Sequence, residues 1–583
     1  MLPSFTLRRG GPMEATMSNT RNASRPRLLA VVLTLVLLGA LGCTGGGSTE
    51  SSQGSTGGSQ SADVPVRDGG EIVIGAEAEP GCADWLGTCA GSTWGDFTMR
   101  RPTIPVTFDV RQEGDDWVPV PSDLLTGEPE AESTGDGMTI TYEINPDAVW
   151  SDGKPISSAD FKYTALQIRD GKNVFDKTGY DQITKVATPD PKTAVVHLDG
   201  TYANWRMLFS NSYGVLPAHL LQGKDRTATM RNGYSFSGGP WIIDSWKRGT
   251  SVTLVPNENY WGDKPHLDKV TFTFIPDTAA AFQALKSGQV DALYPSPQLN
   301  TMSQIDAGLS DINSQVDPQS GNLEALWFNN AAEPFDSEAV RRAASYSIDR
   351  EALVERIYGE IGVDQPAQSL FSPLVSKYAS DAFSQYELSV EKAADLMESD
   401  GWAKNDDGVW EKDGTAAAFR IDSLAGNKRT DLMLQILQQQ FNDAGFDVSV
   451  NTTTSTDLFT KIAPSGDLQM GLWTLVDYFP EPALTFNSND IPTKANDYSG
   501  INFSRVDNAE VDGLLDQVST ELDTDQRIDD SKATDEVLAD TAASLPLVGR
   551  PNILLWNNKI GGPVAINPAE GPFWNLHEWG LAE

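Results

Sequence analysis

The chain has 583 residues, 39% of them apolar and 9% aromatic, with a formal net charge of −38. That length exceeds one simple core and implies roughly two to four domains, while the aromatic content excludes a globally disordered chain. The charge excludes nucleic acid as a partner, because a phosphate backbone is repelled over most of such a surface.

The first feature in chain order is an export signal. Arg21, Arg25 and Arg27 precede the apolar run Leu28 to Leu41, which is too short to span a bilayer comfortably as a mature helix. Met13 or Met17 is the expected start, because Met1 to Pro12 is unlike a signal. The run ends in "ALGC" (40–43), which resembles a bacterial lipobox with Ala40 where Leu is more usual. The resemblance implies cleavage after residue 42 and a lipid on Cys43. Residues 43–69, rich in Gly, Ser, Thr and Gln, cannot bury a core and are expected to be a flexible tether.

Two further cysteines, Cys82 and Cys89, stand in "GCADWLGTCAG". In an exported chain a disulfide is the default pairing, worth about 2–3 kcal/mol on the loop-entropy account. The spacing is not CxxC, and the four histidines, His197, His219, His266 and His577, are scattered without metal-ligand spacing. No metal and no cofactor is expected.

The remaining elements alternate between strand and helix patterns, so the fold class is α/β. "EIVIG" (71–75) reads as a short strand between glycines, and "GMTITYEIN" (137–145) alternates as a strand should. "SSADFKYTALQIRDG" (157–171) reads as a helix capped by Ser157 or Ser158 and stopped at Gly171. "SVTLVP" and "KVTFTFIPD" are strands, and "TAAAFQALKSG" is a helix ending at Gly288. Residues 337–359 form a helical pair. "SVEKAADLMESDGW" and "RTDLMLQILQQQFNDAG" are helices with clear stops, the second running into "FDVSV". The last helices lie in "AEVDGLLDQVST" and "DDSKATDEVLADTAASLPLV".

Five stretches, in order, carry a resemblance. They are "TYEINPDAVWSDGKPISSADFKYT" (141–164), "SGGPWIIDSWKRGTSVTLVPNENYWGDKPHLDKVTFTFIPD" (237–277), "ALKSGQVDAL", "ALWFNNAAEPFDSEAVRRAASYSIDREALV" (325–354) and "GPFWNLHEWGL". Together they resemble the bacterial extracellular solute-binding proteins of family 5, the oligopeptide- and dipeptide-binding components of ABC importers. Departures are small: Ser345-Tyr346-Ser347 stands for the more usual Ser-Tyr-Ala, and Trp241 for Tyr.

The resemblance implies a two-lobed periplasmic-binding-protein fold of type II, with an extra domain on the N-terminal lobe. Domain I would comprise 70–100, 235–321 and 545–583; domain II, an insertion on the same lobe, 101–234; and domain III, the opposite lobe, 322–544. Crossings near 321 and 545 would form the hinge. In peptide binders of this family a carboxylate in an Asp-Tyr segment pairs with the peptide's α-ammonium group. The similar segment here, "LWTLVDYFPEP" (472–482), makes Asp477 the candidate, with Trp473 and Tyr478 as walls. Trp473 lies four residues before Asp477, where some relatives have three. Trp85 either stacks on ligand or packs against its lobe. Trp327, Asn329 and Asn330 end a strand near the crossing and either meet ligand or hold the strand end.

No GxSxG elbow, HExxH, P-loop or free nucleophilic cysteine is present, so no enzyme is expected. The expected function is peptide capture by hinge closure and delivery to a membrane permease and its ATPase, by a monomer anchored outside the cytoplasmic membrane. Two alternatives are carried: the same fold binding an oligosaccharide, with tryptophans as stacking platforms, or a surface-anchored sensing or interaction protein without transport.

Overall fold

The computed structural model describes residues 64–583, apart from 88–92, 115, 135–136, 211–212, 300, 302, 304–310, 318–319, 477–478, 480 and 483–484. Three larger sheets organise these residues. The first has seven strands in the order Ile312–Asp317, Asn552–Asn557, Ala292–Leu293, Glu71–Ala76, Lys269–Phe274, Ser251–Pro256 and Trp241–Lys247. The expected strand at 71–75 lies at its centre, with Ile72 and Ile74 fully buried, and runs parallel to both its neighbours. Those neighbours are joined by the helix Thr278–Lys286, the crossover that parallel strands need. Asp277 caps that helix by accepting from the Ala280 amide.

The second sheet, antiparallel and four-stranded, is ordered Glu130–Ser133, Met138–Glu143, Thr193–Leu198 and Ile183–Asp190. It lies wholly within the expected insertion. The Trp-Ser-Asp-Gly-Lys-Pro stretch before its helix, Ser158–Arg169, is a tight turn: the Trp150 amide donates to Lys154 O and Gly153 has φ +79°. Asp160 then accepts from the Ser157 amide at 2.8 Å and the Ala218 amide at 2.7 Å, fixing the helix start against the next segment.

The third sheet has five strands in the order Asp447–Thr453, Ala418–Leu424, Met470–Val476, Asn322–Phe328 and Leu545–Gly549. The expected helical pair is present as Glu338–Tyr346 and Arg350–Tyr358. In the first of these helices Arg341 is buried and donates to the carbonyls of Phe335, Thr541 and Ala542. The helix Lys428–Ala444 ends at Gly445 in the left-handed region and runs into the edge strand, as its sequence suggests.

The chain passes between the first and third sheets twice. Ile312–Asp317 leads into Asn322–Phe328, and Leu545–Gly549 leads into Asn552–Asn557. The second crossing is therefore at Arg550-Pro551, not near 545. "SLPLVGRPNILLW" holds two buried strands with no alternation to separate them, and only Gly549, Arg550 and Pro551 mark the break. The crossings are bonded to each other: the Arg550 amide donates to Asn322 O at 2.7 Å, and the Ser320 hydroxyl to Arg550 O.

Just past the first crossing, Glu324 is buried and accepts from Arg429 at 2.8 and 3.0 Å and from the Tyr358 hydroxyl at 2.5 Å. Burial raises its pKa, but the Arg429 charge and these hydrogen bonds outweigh that and hold it below the ordinary range.

The third sheet's strands carry an aromatic layer. Trp327 and Trp473 stack with centroids 5.8 Å apart and planes 17° apart, and Phe459, Phe486 and Phe503 pack around them. Gly471, two residues before Trp473, makes this possible, since a Cβ there would sit 1.7 Å from the Trp473 ring. Gly471→Ala is expected to displace the stacked pair and lower stability by about 2 kcal/mol. A urea midpoint equal to wild type would contradict this.

Candidate ligand cleft between the lobes

The segment Leu472 to Pro482 leaves the third sheet after Val476. Asp477 and Tyr478 lie outside the described residues, as do Cys43 and Cys89. Phe479 is 2% exposed and packs into the hydrophobic core of the N-terminal lobe, although the chain on both sides of it belongs to the opposite lobe. Leu374, also from the opposite lobe, touches the same core. Alongside, Asn204 donates through Nδ2 to Pro482 O at 2.9 Å, and the Ala203 amide donates to Ser519 O at 2.6 Å. These contacts form a seam between the insertion and the opposite lobe.

A cavity of about 510 Å³ opens beside the seam. Pro119, Trp205 and Arg206 line one wall, and Tyr378, Glu481 and Arg527 the other. Glu481 and Arg527 form a buried ion pair at 2.6 Å, with side chains 8% and 7% exposed. Arg527 also donates through Nε to Val518 O at 2.9 Å. The lining charges Arg206, Lys377 and Arg527 are matched by Glu128, Glu481 and Glu521, so the cavity favours neither sign.

Among the described residues, the buried Arg527 Nη2 and Asn204 Oδ1 at the seam have no hydrogen-bond partner. Burying the Phe479 ring contributes about 2–3 kcal/mol and each hydrogen bond about 1, against about 1–3 for each stranded atom.

A second strain is electrostatic. Asp490 of the opposite lobe is pushed up to about 7, chiefly by burial and then by Asp176 and Asp181 of the insertion. The same two insertion acids act on Tyr202, next to Ala203 in the seam.

The sequence-predicted residues separate into groups. Trp327 and Trp473 come together as the stacked pair, 3% and 7% exposed, with Trp327 Nε1 donating to Trp473 O at 3.0 Å. The Asn329 amide donates to the carbonyls of Gly466 and Leu468, and that of Asn330 to Phe328, Ser504 and Ala543. Both hold the strand end. Trp85 lies on the other lobe, where its Nε1 donates to Tyr213 O at 2.8 Å and its ring meets Tyr234 edge-on. Cys82 is buried and disulfide-bonded. Sequence reasoning missed Asn204, Glu481, Asp490 and Arg527. Only Glu481, an acid between prolines in an aromatic stretch, carried any local signal. Among the described residues no cluster of His, Cys, Asp or Glu suits a metal ion, and no helix is long and apolar enough to cross a membrane.

Comparison with known proteins gives a consistent result. The model of the bacterial extracellular solute-binding proteins, family 5 middle, matches residues 122–497. The chain is 24% identical over 575 residues to the oligopeptide-binding protein AppA of Bacillus subtilis strain 168, covering 95% of this chain and 98% of that one. The structure of Bacillus subtilis AppA in complex with a nonapeptide superposes with a TM-score of 0.77 at 21% identity, over 89% of this chain and 100% of that chain. A periplasmic EDTA-binding protein, EppA, gives 0.76 at 24% identity, over 90% and 99%. The fold they share is the two-lobed type II binding fold.

The seam's acids predict a pH dependence. An acid whose pKa is raised on folding binds its proton more tightly in the folded state. Its stabilising effect is present below the ordinary Asp value of 3.8 and is lost as pH rises through about 7. Asp490→Asn removes that loss, so the variant should melt above wild type at pH 8, with the gap narrowing at pH 5. A gap that is equal at both pH values, or larger at pH 5, would contradict the assignment.

Proposed function

The chain belongs to the bacterial extracellular solute-binding proteins of family 5, and we propose that its solutes are peptides, captured between the lobes and passed to an ABC permease. Proteins of this family bind solute without catalysing a reaction. The observation that carries the peptide reading is the likeness to an oligopeptide-binding protein over nearly the whole length of both chains.

In this reading Asp477 is the counter-ion for the peptide's α-ammonium group. An ammonium taken out of water needs a partner charge, and a cleft that excludes water strengthens the pair. Cys43 carries the lipid that holds the protein outside the cytoplasmic membrane, within reach of the permease and its ATPase. The oligosaccharide alternative is weaker, because Trp85, Trp327 and Trp473 are engaged in packing or hydrogen bonds within the protein rather than presented as platforms.

Native mass spectrometry of the protein as purified, with bound solute released and sequenced, is expected to recover peptides. Recovery of sugars alone would overturn the reading. Asp477→Asn is expected to weaken peptide binding by about 10–100-fold, the loss of one charge-assisted hydrogen bond. Unchanged affinity in a calorimetric titration would remove Asp477 from the site.

A further inference from the structure

We propose that Asp109, Arg111 and Glu570 form a pH-sensitive clasp, which fastens the insertion's first hairpin to the C-terminal segment more tightly at pH 6 than at pH 8.

The hairpin pairs Phe108–Glu113 with Asp116–Pro121. Both main-chain groups of Val110 are taken by the C-terminal segment. The amide donates to Glu570 Oε1 at 2.6 Å, and the carbonyl accepts from Asn567 Nδ2 at 2.8 Å. Beside it, Arg111 donates through Nη1 to Glu570 Oε2 at 3.0 Å and through Nη2 to Asp109 Oδ2 at 3.1 Å. Its guanidinium also lies 4.6 Å from the centre of the Trp574 ring. One cation thus serves two carboxylates, one from each side of the contact, and a negative charge is left over. The hairpin's second strand carries Pro119 to the wall of the cavity beside the seam, so the clasp also steadies that wall.

The surroundings add acids rather than cations. Arg101 acts on Asp109 but is paired with Asp96 at 2.7 Å. Asp123 follows the hairpin, Glu578 and His577 belong to the C-terminal segment, and Tyr260 and Asp263 stand on the turn before the strand Lys269–Phe274. Burial, and then the Glu570 charge, push Asp109 up to about 7, against the pull of Arg111. An acid raised in this way adds stability below its ordinary value of 3.8 and loses it as pH rises through about 7. Once the clasp opens, Asp109 returns to the ordinary range, so its contribution to closure falls about tenfold between pH 6 and pH 8. His577 works the other way, because burial lowers its pKa and acid favours its release. A histidine released to its ordinary 6.5 weakens closure at pH 6 by at most about fourfold, so the Asp109 effect wins. This inference rests neither on the solute being a peptide nor on movement of the lobes.

The test uses the full chain without solute and reads hydrogen exchange at the Val110 amide, with the strand Lys269–Phe274 as folding control. Protection in wild type is divided by protection in Asp109→Asn at the same pH, which cancels the His577 effect. The ratio is expected to fall about tenfold between pH 6 and pH 8, with the ratio at the control strand level. A level ratio at Val110 would overturn the proposal. Carboxyl NMR supplies a second readout that does not need the Asp109→Asn variant. Asp109 should titrate at about 7 in wild type, and about one unit lower in Glu570→Gln, which keeps the acceptor for Val110 but removes the neighbouring charge. A wild-type midpoint near the ordinary 3.8, or one that Glu570→Gln leaves in place, would overturn the proposal as well.

Discussion

Everything in this fold is constrained by two chain crossings that must join separate sheets without leaving buried backbone groups unpaired. The pairing of Asn322–Phe328 with Leu545–Gly549 in one sheet continues as that of Ile312–Asp317 with Asn552–Asn557 in the other. Between them, the Arg550 amide bonds to Asn322 O, the Ser320 hydroxyl serves Arg550 O, and Asn322 Nδ2 bonds to Asn552 Oδ1 at 3.0 Å. The two crossings are therefore one hydrogen-bonded unit. The buried Glu324–Arg429 pair ties one side of that unit to the helix Lys428–Ala444. Breaking such a pair strands a charge in the core, so it resists loss.

The lobes meet differently on either side of this unit. Near the crossings the apolar core is continuous: Phe282, Leu293 and Ile553 share a cluster with Leu323 and Leu326. Gln298 and Asn427 add a polar contact at 3.4 Å. At the far seam, among the described residues, Phe479 and Leu374 meet the other lobe's core, Asn204 and Ala203 donate across it, and Asp176 and Asp181 raise the pKa of Asp490. The lobe contact is thus a continuous core beside the crossings and a sparser set of contacts at the seam.

Much of the fold was legible in the sequence because local chemistry and tertiary role agree. Asp160 fixes the start of a helix, Gly445 ends another, and the alternating "KVTFTF" is a strand. Legibility failed where burial erased periodicity. The strand Met470–Val476 is buried on both faces at its start, so nothing in "MGLWTLV" tells a cleft wall from a core stack. Asn329 and Asn330 are polar residues at a strand end, a pattern shared by ligand contacts and by side chains that bond main-chain carbonyls. The seam was invisible for a different reason. Asn204 and Pro482 are 278 residues apart, and no local pattern links Ala203 to Ser519.

The central claim is that solute binding closes the lobes about the paired crossings. Small-angle scattering of the full chain with and without a saturating nonapeptide tests this most directly. A smaller radius of gyration is expected with the peptide bound. A radius unchanged at saturation, with binding verified in the same sample, would contradict it.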